Sequence, residues 1–452
     1  MMKKVLKYIL FGLGFLLLGL LVFFVAILLP VDRTPYKQKE FYNTMIARLD
    51  TLSTVEIPEP AHAIKVGYSK INLTPAQRTA TAGYGNRRGK KYDVIHDSVY
   101  VRCIVLSNGQ EKVAIVSADL LLIPPTVTTV LNQRLPSIGF SLSNTYLNAT
   151  HTHNSIGNWG EGAASFIYGS YNDSIVQFIA DRIVTSIQKA EIDLVKTQLK
   201  SGHVSVGNVV RNRLARGEGK VDSLLHIVEF QRDDSIKLVM TVFNAHATCL
   251  FSKDLNLSRD YPGVLVDELE SQGYDFAMFL SGAVGSHACN PPEFGKPCID
   301  WMGMRLSEKV VSSRLLLKPI ADSTIFMKRV PLALGEPQFK VSQDWRVRPW
   351  VFKALLGEYT PYITTLRVGT ILMLGTPCDF SGELTEAIRE IGAEKSFHTI
   401  ITSFNGHYIG YITEDRYYDR SHYETRLMNW YGPGNGAYLT ECLSRCALAF
   451  TK

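Results

Sequence analysis

An uncharged apolar run near the N-terminus constrains this chain most. Residues 8–29 read YILFGLGFLLLGLLVFFVAILL, 22 residues without a charge. As an α-helix this run would be roughly 33 Å long, enough to cross a hydrocarbon core of about 30 Å. A cleaved signal peptide usually has a shorter apolar region, about 7–15 residues, followed by small residues at its cleavage site. The run ends in Leu-Leu-Pro, so its length and its end favour a retained transmembrane anchor over an unusually long signal peptide.

The charges beside the run predict its orientation. Lys3, Lys4 and Lys7 precede it. By the positive-inside rule the short N-terminus stays in the cytoplasm, and the rest of the chain lies outside it. Residues 1–33 are therefore predicted to form the cytoplasmic tip and the anchor of a single-pass membrane protein.

A stalk and linker are predicted between the anchor and the domain, over residues 34–63. Apolar residues recur there at helical spacing: Phe41, Met45, Leu49 and Leu52. Residues 39–53 are therefore expected to form an amphipathic helix against the domain or the membrane surface. IPEPAHA (57–63) is a Pro-punctuated linker, and residues 64–452 are assigned to one domain.

Composition narrows the possible partners. The chain has 48 Lys+Arg against 42 Asp+Glu, and half of the net charge of +6 belongs to residues 1–33. Because no basic stripe remains in the domain, a nucleic-acid partner is not expected. Seven cysteines are too few for a disulfide scaffold. Cys289 and Cys298 flank a Pro/Gly loop and could pair in an oxidising compartment, whereas Cys442 and Cys446 are expected to be buried apolar side chains.

The pattern of strands and helices predicts an α+β fold of layered mixed β-sheets with flanking helices. Strands are expected at 99–106, 112–118, 237–243, 363–374 and 398–403. Helices are expected around the stripe Ile175, Ile179, Ile183 and Ile187, and at 261–272, 301–317, 381–394 and 435–448. Strands do not alternate strictly with helices, and some neighbours are joined by short turns such as Asn108-Gly109, which argues against a doubly wound parallel sheet.

Side chains able to bind a metal follow four of the predicted strands. They are His151 and His153 in NATHTHN, His246 in FNAHAT, Asp379 in GTPCDF, and Tyr408 and Tyr411 in FNGHYIGYIT. If the chain is extended at His151, it and His153 face the same way. Two imidazoles, a carboxylate and a phenol oxygen form a mixed N/O set that suits Zn²⁺ and leaves room for water or substrate.

Each of these residues also has an ordinary structural explanation. One histidine of an H-x-H pair is often structural or exposed, and His246 alone would more often be a hydrogen-bonded core histidine. Asp379 could cap the following helix. Tyr411 would most often be a packing residue. From the residues alone, the metal site is one hypothesis among these.

Eight segments follow one another in a distinctive order: VGYSKINLTP (66–75), TAGYGNRRGK (81–90), HDSVYVRCIVL (96–106), VAIVSADLL (113–121), NATHTHN (148–154), RDYPG (259–263), GYITEDRYY (410–418) and YETRLMNWYGPGNG (423–436). Together they resemble the neutral/alkaline ceramidase family. The resemblance covers the family's catalytic domain, from about residue 64 onward.

The resemblance implies roles for individual residues. It implies a zinc ion held by four ligands, which fall on His151, His246, Asp379 and Tyr411. His153 matches the second histidine of the family motif, placed for proton transfer or for polarising the scissile carbonyl. Arg213 matches a substrate-binding arginine, and Tyr408 is predicted to be catalytic. Asp119, at the end of VSAD, is expected to orient a zinc-bound histidine.

Two positions depart from the family pattern. Asp379 stands where the family usually has Glu. A serine implicated in attack on the amide aligns with Ala288 in FLSGAVGSHACN (279–290). The leading hypothesis is a membrane-tethered, zinc-dependent hydrolase of an N-acyl bond in a ceramide-like or other envelope lipid. The alternatives are hydrolysis of a different amide or ester by zinc-activated water, and a catalytically inactive lipid- or sugar-binding relative.

Overall fold

The computed structural model describes residues 2–52, 54–60, 62–358 and 360–452. Its helices are α1 (Met2–Ile27), α2 (Glu40–Leu52), α3 (Pro125–Arg134), α4 (Ala164–Tyr168), α5 (Asp173–Ile192), α6 (Tyr261–Ser271), α7 (Lys296–Ser312), α8 (Pro349–Leu356), α9 (Thr385–Glu394), α10 (Tyr423–Arg426) and α11 (Asn435–Phe450). Its strands are β1 (Leu28–Pro30), β2 (Lys65–Asn72), β3 (Thr81–Ala82), β4 (Val94–Ile95), β5 (Tyr100–Ser107), β6 (Lys112–Ala118), β7 (Thr145–Ala149), β8 (Ser155–Ile156), β9 (Val195–Ser205), β10 (Val210–Asn212), β11 (Leu224–Arg232), β12 (Lys237–Phe243), β13 (Asn256–Leu257), β14 (Phe276–Ser281), β15 (His287–Cys289), β16 (Lys318–Ile320), β17 (Ile325–Pro331), β18 (Trp345–Val347), β19 (Tyr362–Val368), β20 (Ile371–Gly375), β21 (Asp379–Phe380), β22 (His398–Thr402) and β23 (Tyr411–Ile412).

Two mixed sheets form the centre of the domain. The larger has nine strands in the order β14-β12-β11-β9-β2-β5-β6-β7, with β16 also pairing with β9, and the smaller has the order β17-β19-β20-β22. Antiparallel pairs dominate, but β6–β7, β12–β14 and β20–β22 are parallel. The two strands of a parallel pair have their carboxyl ends at the same edge of the sheet. In each of these three pairs, the loops that follow the two strands therefore begin close together.

The sheets and helices form four layers. Strand alternation on β12 shows how: Met240 packs into the core between the two sheets, whereas Val239 and Phe243 pack against the helices α6 and α7. Helices α3 and α5 cover another part of the large sheet. Helices α2, α9 and α11 cover the outer face of the small sheet. The predicted α+β class with layered mixed sheets and flanking helices is confirmed.

The isoleucine stripe forms the buried face of α5. Asn172 caps this helix by accepting a hydrogen bond from the backbone N–H of Ser174. Ile179, Ile183 and Ile187 are fully buried. Their four-residue spacing places them on one side of the helix, against the large sheet.

Three element boundaries differ clearly from the sequence predictions. The helix expected at 301–317 is α7, which runs from Lys296 to Ser312 and is followed by a short 3₁₀ turn at Arg314–Leu316. The single strand expected at 363–374 is the hairpin β19–β20, because Gly369 adopts a φ of +55° and reverses the chain. The helix expected at 381–394 begins at Thr385. A short 3₁₀ turn precedes it, with Ser381 accepting the hydrogen bond from Glu383 N–H.

The apolar N-terminal run forms α1, whose last residue is Ile27. Leu28 and Leu29, predicted to belong to the spanning run, instead form β1 with Pro30 and pair with β18 of the domain. Of the described helices, this one is long and apolar enough to cross a membrane, with its window fully exposed in the structure. Ile27 O accepts a hydrogen bond from the backbone N–H of Arg348, so the helix joins the domain without a flexible spacer.

The amphipathic helix predicted in the stalk packs on the domain. Met45, Leu49 and Leu52 of α2 are buried in the same core as α11. Cys442 and Cys446 of α11 lie in that core too, as expected.

The disulfide joins a different pair from the one proposed. Cys298 is bonded to Cys249, with a Cα–Cα distance of 5.3 Å, and Cys289 is a buried free thiol. The pairing Cys289–Cys298 is therefore wrong. Sequence spacing suggested Cys289 as the partner of Cys298. The loop after His246, which carries Cys249, instead packs against the first turn of α7, which carries Cys298, and brings these two thiols together.

Candidate metal and catalytic site

The carboxyl ends of three strands converge on one side chain beneath the site. Asn148, on β7, donates hydrogen bonds to the carbonyls of Ser281 and Ser403, at 3.2 and 2.8 Å. It also accepts one from Ser281 N–H at 3.0 Å. The ends of β7, β14 and β22 are thus fastened together, and the loops that follow them reach a common point.

Four side-chain atoms from four separate segments of the chain meet at this point. Asp379 Oδ1 lies 3.3 Å from His151 Nε2 and 3.1 Å from His246 Nε2, and the Tyr411 hydroxyl lies 2.9 Å from His246 Nε2. All four side chains are buried. Ligand atoms about 2.0–2.1 Å from one tetrahedral ion are separated by about 3.3 Å, so these spacings fit an ion held among them.

Proton placement makes the cluster rich in acceptors. His151 Nδ1 faces the carbonyl of Leu121 at 2.7 Å, and His246 Nδ1 faces that of Val284 at 2.8 Å. These contacts fix the protons on Nδ1. Both Nε2 atoms therefore carry a lone pair that can accept a hydrogen bond or bind a metal. Asp379 Oδ1 has no hydrogen-bond donor among the described residues. Acceptors that face one another in a buried place repel unless a proton or a cation lies between them, so this cluster could hold a metal ion.

Strand register brings the carboxylate and the phenol together. Asp379 of β21 pairs with Tyr411 of β23 in a parallel bridge, and Asp379 N–H donates to Gly410 O at 3.0 Å. Asp379 therefore lies within a short strand and does not cap α9. Ser381 caps the short 3₁₀ turn that precedes α9. Its second oxygen, Oδ2, accepts a hydrogen bond of 2.6 Å from the Tyr408 hydroxyl. Tyr408 thus orients the carboxylate.

The two histidines of NATHTHN meet for a different reason from the one predicted. His151 has a φ of +61°, so the chain is not extended there. The turn still places His151 Nε2 and His153 Nε2 3.2 Å apart. Phe404, with a φ of +62°, stacks on the His151 ring at 4.1 Å. Such conformations cost about 1–3 kcal/mol each and concentrate at functional sites.

His153 is a neutral imidazole beside the cluster. Burial, with the neighbouring His151, His246 and Arg213, lowers its pKa well below the usual value. Its Nδ1 is buried and has no hydrogen-bond partner among the described residues. A close approach of the TAGYG loop confines it, because a Cβ at Gly83 would lie 2.4 Å from the His153 Cα.

Arg213 supplies a positive charge to the edge of the cluster. Its Nη2 lies 3.2 Å from His246 Nε2 and 3.1 Å from the Tyr411 hydroxyl. Its Nε lies 2.8 Å from the carboxylate of Glu424. With Asp379, these groups carry one net negative charge, so Arg213 does not cancel the attraction of the site for a divalent cation.

Ala288 lies next to the cluster. It forms a β-bridge with His246 and pairs with Arg211 of β10. The segment before it is packed tightly against β21, since a Cβ at Gly285 would lie 2.3 Å from the carbonyl oxygen of Asp379. The position that aligns with the family serine is therefore adjacent to a candidate metal ligand.

Sequence reasoning missed several neighbours of the site. Phe404 and Glu424 contact His151 and Arg213, as described, and the Tyr423 ring packs edge-on against the Tyr411 ring at 5.9 Å. Single aromatic and acidic residues in loops carry no spacing signal that would have indicated them. The expected role of Asp119 is wrong: its Oδ2 accepts from the backbone N–H of Tyr100, while a backbone carbonyl orients His151.

The fold and the buried N/O cluster define an α+β protein with a candidate metal site. Residues 64–278 match the N-terminal family model of the neutral/alkaline non-lysosomal ceramidases. That range contains His151, His153, Arg213 and His246. This match, over just under half of the chain, supports the neutral/alkaline ceramidase family and, with it, hydrolysis of an amide bond.

Two solved structures have a similar fold. The neutral ceramidase from Pseudomonas aeruginosa matches with a TM-score of 0.72 and 18% identity, over 86% of this chain and 75% of that one. A ceramidase complexed with C2 matches with a TM-score of 0.74 and 17% identity, over the same 86% and 75%. At these identities the likeness establishes the fold. Among curated proteins, no match is found.

Proposed function

We propose that this protein is a membrane-tethered, zinc-dependent hydrolase of an N-acyl bond in a ceramide-like or other envelope lipid. The observation that carries the proposal is the meeting of His151 Nε2, His246 Nε2 and Asp379 Oδ1, three buried acceptors at 3.1–3.3 Å. The match to the ceramidase family model supports the reaction class, cleavage of an amide.

Zinc is the proposed metal because the donor set suits it. Imidazole nitrogen, carboxylate oxygen and a fourth oxygen from Tyr411 form a tetrahedral N₂O₂ arrangement. Burial lowers the pKa of His246 to about 3, which keeps its imidazole in the neutral form that binds metals. A bound zinc ion supplies Lewis-acid polarisation of a carbonyl and acidification of water.

The protein's own groups have distinct proposed tasks. His153, neutral and beside the cluster, accepts a proton during attack and returns it to the leaving amine. Arg213 faces the same point and binds the polar end of the substrate, its charge held in place by Glu424. Tyr408 keeps Asp379 in one orientation through its 2.6 Å hydrogen bond.

A lipid substrate is supported by the surface next to α1. Helix α8 begins immediately after Arg348, whose backbone N–H donates a hydrogen bond to Ile27 O at the end of α1. Its side chains Trp350 and Leu355 are 59% and 50% exposed. Tryptophan on a short apolar helix is typical of a membrane interface. Leu355 O accepts a hydrogen bond from Ala163, in the loop before α4, so this surface continues toward the loops around the site.

Substrate turnover tests the proposed function. Full-length protein in detergent is expected to release fatty acid from at least one N-acyl lipid or related amide. Activity should be lost in a chelator and restored by Zn²⁺. The alternative hydrolase predicts turnover only of another amide or ester. Zinc-loaded protein that binds such ligands but hydrolyses none of a broad amide and ester panel would establish the binding-protein alternative.

Retention of α1 is a separate prediction. Its continuation into β1, paired with β18, makes cleavage near residue 30 costly to the fold. The Cys249–Cys298 disulfide suits a domain outside the cytoplasm. N-terminal sequencing of the membrane fraction is expected to give a start before residue 8. A mature start beyond Pro30 would contradict the anchor.

A further inference from the structure

A second group of histidines lies away from the candidate active site. His203 is on β9, His226 is opposite it on β11, and His398 begins β22 of the other sheet. One ring nitrogen from each falls within 4.8 Å of the others. The ring centroids are 5.2–5.8 Å apart. No residue is shared with the cluster around Asp379.

Hydrogen bonding does not satisfy this group. His226 Nδ1 and His398 Nε2 are 2.9 Å apart, and only one of them can carry the proton between them. His398 Nδ1 is buried without a hydrogen-bond partner in the described part of the chain. Burial lowers the pKa of His226 well below its usual value and that of His398 to about 3, so both rings remain neutral.

Charged groups around the cluster nearly balance. Arg389 is close enough to lower the pKa of all three histidines, and Lys318 acts on His203. The carboxylate of Asp222 contacts the Arg389 guanidinium directly and opposes its charge. The remaining charge is the single Lys318, next to the most exposed ring, where solvent screens it.

We propose that His203, His226 and His398 form a second site for a divalent transition metal of the zinc type. Three neutral imidazoles are a ligand set that zinc accepts, with a fourth position for water. Exposure of His203 leaves that position open to solvent. Because the ligands come from both sheets, the ion would cross-link the two central layers and raise the unfolding temperature.

Zinc counting tests the site. Full-length protein in detergent would be dialysed against buffered Zn²⁺ and its metal content measured. Wild type is expected to hold two zinc ions per chain. His203→Asn, which changes an exposed side chain, should hold one zinc ion. The affinity of the second site for zinc should fall by at least about 100-fold, because losing a residue that only orients a metal ligand already costs about 10–100-fold. His62→Asn, which changes an exposed histidine outside both clusters, should hold two.

A crossed comparison separates this site from the proposed active site. His246→Asn should also hold one zinc ion, and the double variant with His203→Asn should hold none. The Zn²⁺-dependent rise in unfolding temperature should be smaller in His203→Asn than in His62→Asn. One ion in wild type that His203→Asn retains would overturn the second site. One ion that only His203→Asn removes would support it and contradict the active-site metal.

Discussion

Replacing His246 by Ala is expected to remove the active-site zinc ion and to lower kcat/KM by at least about 10³-fold. The imidazole is fully buried, and its Nε2 contacts both Asp379 and Tyr411. Its loss takes away one of two nitrogen donors, and a metal that polarises a carbonyl contributes several kcal/mol to the transition state. Metal content and hydrolysis would be measured together, with thermal unfolding as the test that the variant folds.

Graded variants distinguish ligand loss from general damage. Tyr411→Phe keeps the ring and removes only the oxygen, so it should weaken zinc binding less than His246→Ala. Tyr408→Phe leaves all four ligands but removes the hydrogen bond to Asp379 Oδ2, and it should reduce metal affinity by about 10–100-fold. His62→Ala serves as the control. Full zinc content and activity in His246→Ala would contradict the assignment of the ligands.

Local patterns in the sequence were sufficient to predict the main elements. The stripe of α5 follows from helical periodicity, and the strands β5, β6 and β12 follow from short, mostly apolar runs; both signals depend only on near neighbours. The break at Gly369 was missed because RVGTILML remains apolar on both sides of the turn. The Cys249–Cys298 bond was missed because it depends on how distant loops pack.

The candidate site shows the same division. Loops after strands indicated His151, His246, Asp379 and Tyr411, and the structure brings these four together. The expected reason for the approach of His151 to His153 was wrong, since a left-handed residue and not an extended strand creates it. The structure places the Tyr408 hydroxyl 2.6 Å from Asp379 Oδ2, and the expected catalytic role of Tyr408 stays a prediction. A hydrogen bond between residues as far apart in sequence as Tyr408 and Asp379 leaves no pattern in the neighbouring residues that would predict it.

The effect of Ala288→Ser separates two explanations of why a family serine can be absent here. If that serine is an obligatory nucleophile, a methyl group in its place prevents any covalent route, and wild type should not hydrolyse ceramide. If water is the nucleophile, the serine hydroxyl positions the amide or the water, and its absence slows the reaction.

We favour water as the nucleophile, because the acceptor cluster, which includes the His246 bridged to Ala288, and the neutral His153 beside that cluster are both present. A missing hydrogen bond of this kind is worth about 10²–10³ in rate. Ala288→Ser is therefore expected to raise ceramide hydrolysis by that factor. His153→Ala should lower hydrolysis of every substrate by about 10²–10⁴, since it removes the group that accepts the proton.

Ala283→Ser provides the matched control, because it adds the same hydroxyl at a buried position of the same GAVGSHAC segment. It should not raise ceramide hydrolysis. The position of Ala288, bridged to His246, is what makes its hydroxyl useful, and a hydroxyl elsewhere in the segment lacks that contact. Initial rates with ceramide and with the best alternative amide would be compared at equal zinc content. A decrease in ceramide hydrolysis in Ala288→Ser, with Ala283→Ser unchanged, would show that the methyl group is suited to a different substrate.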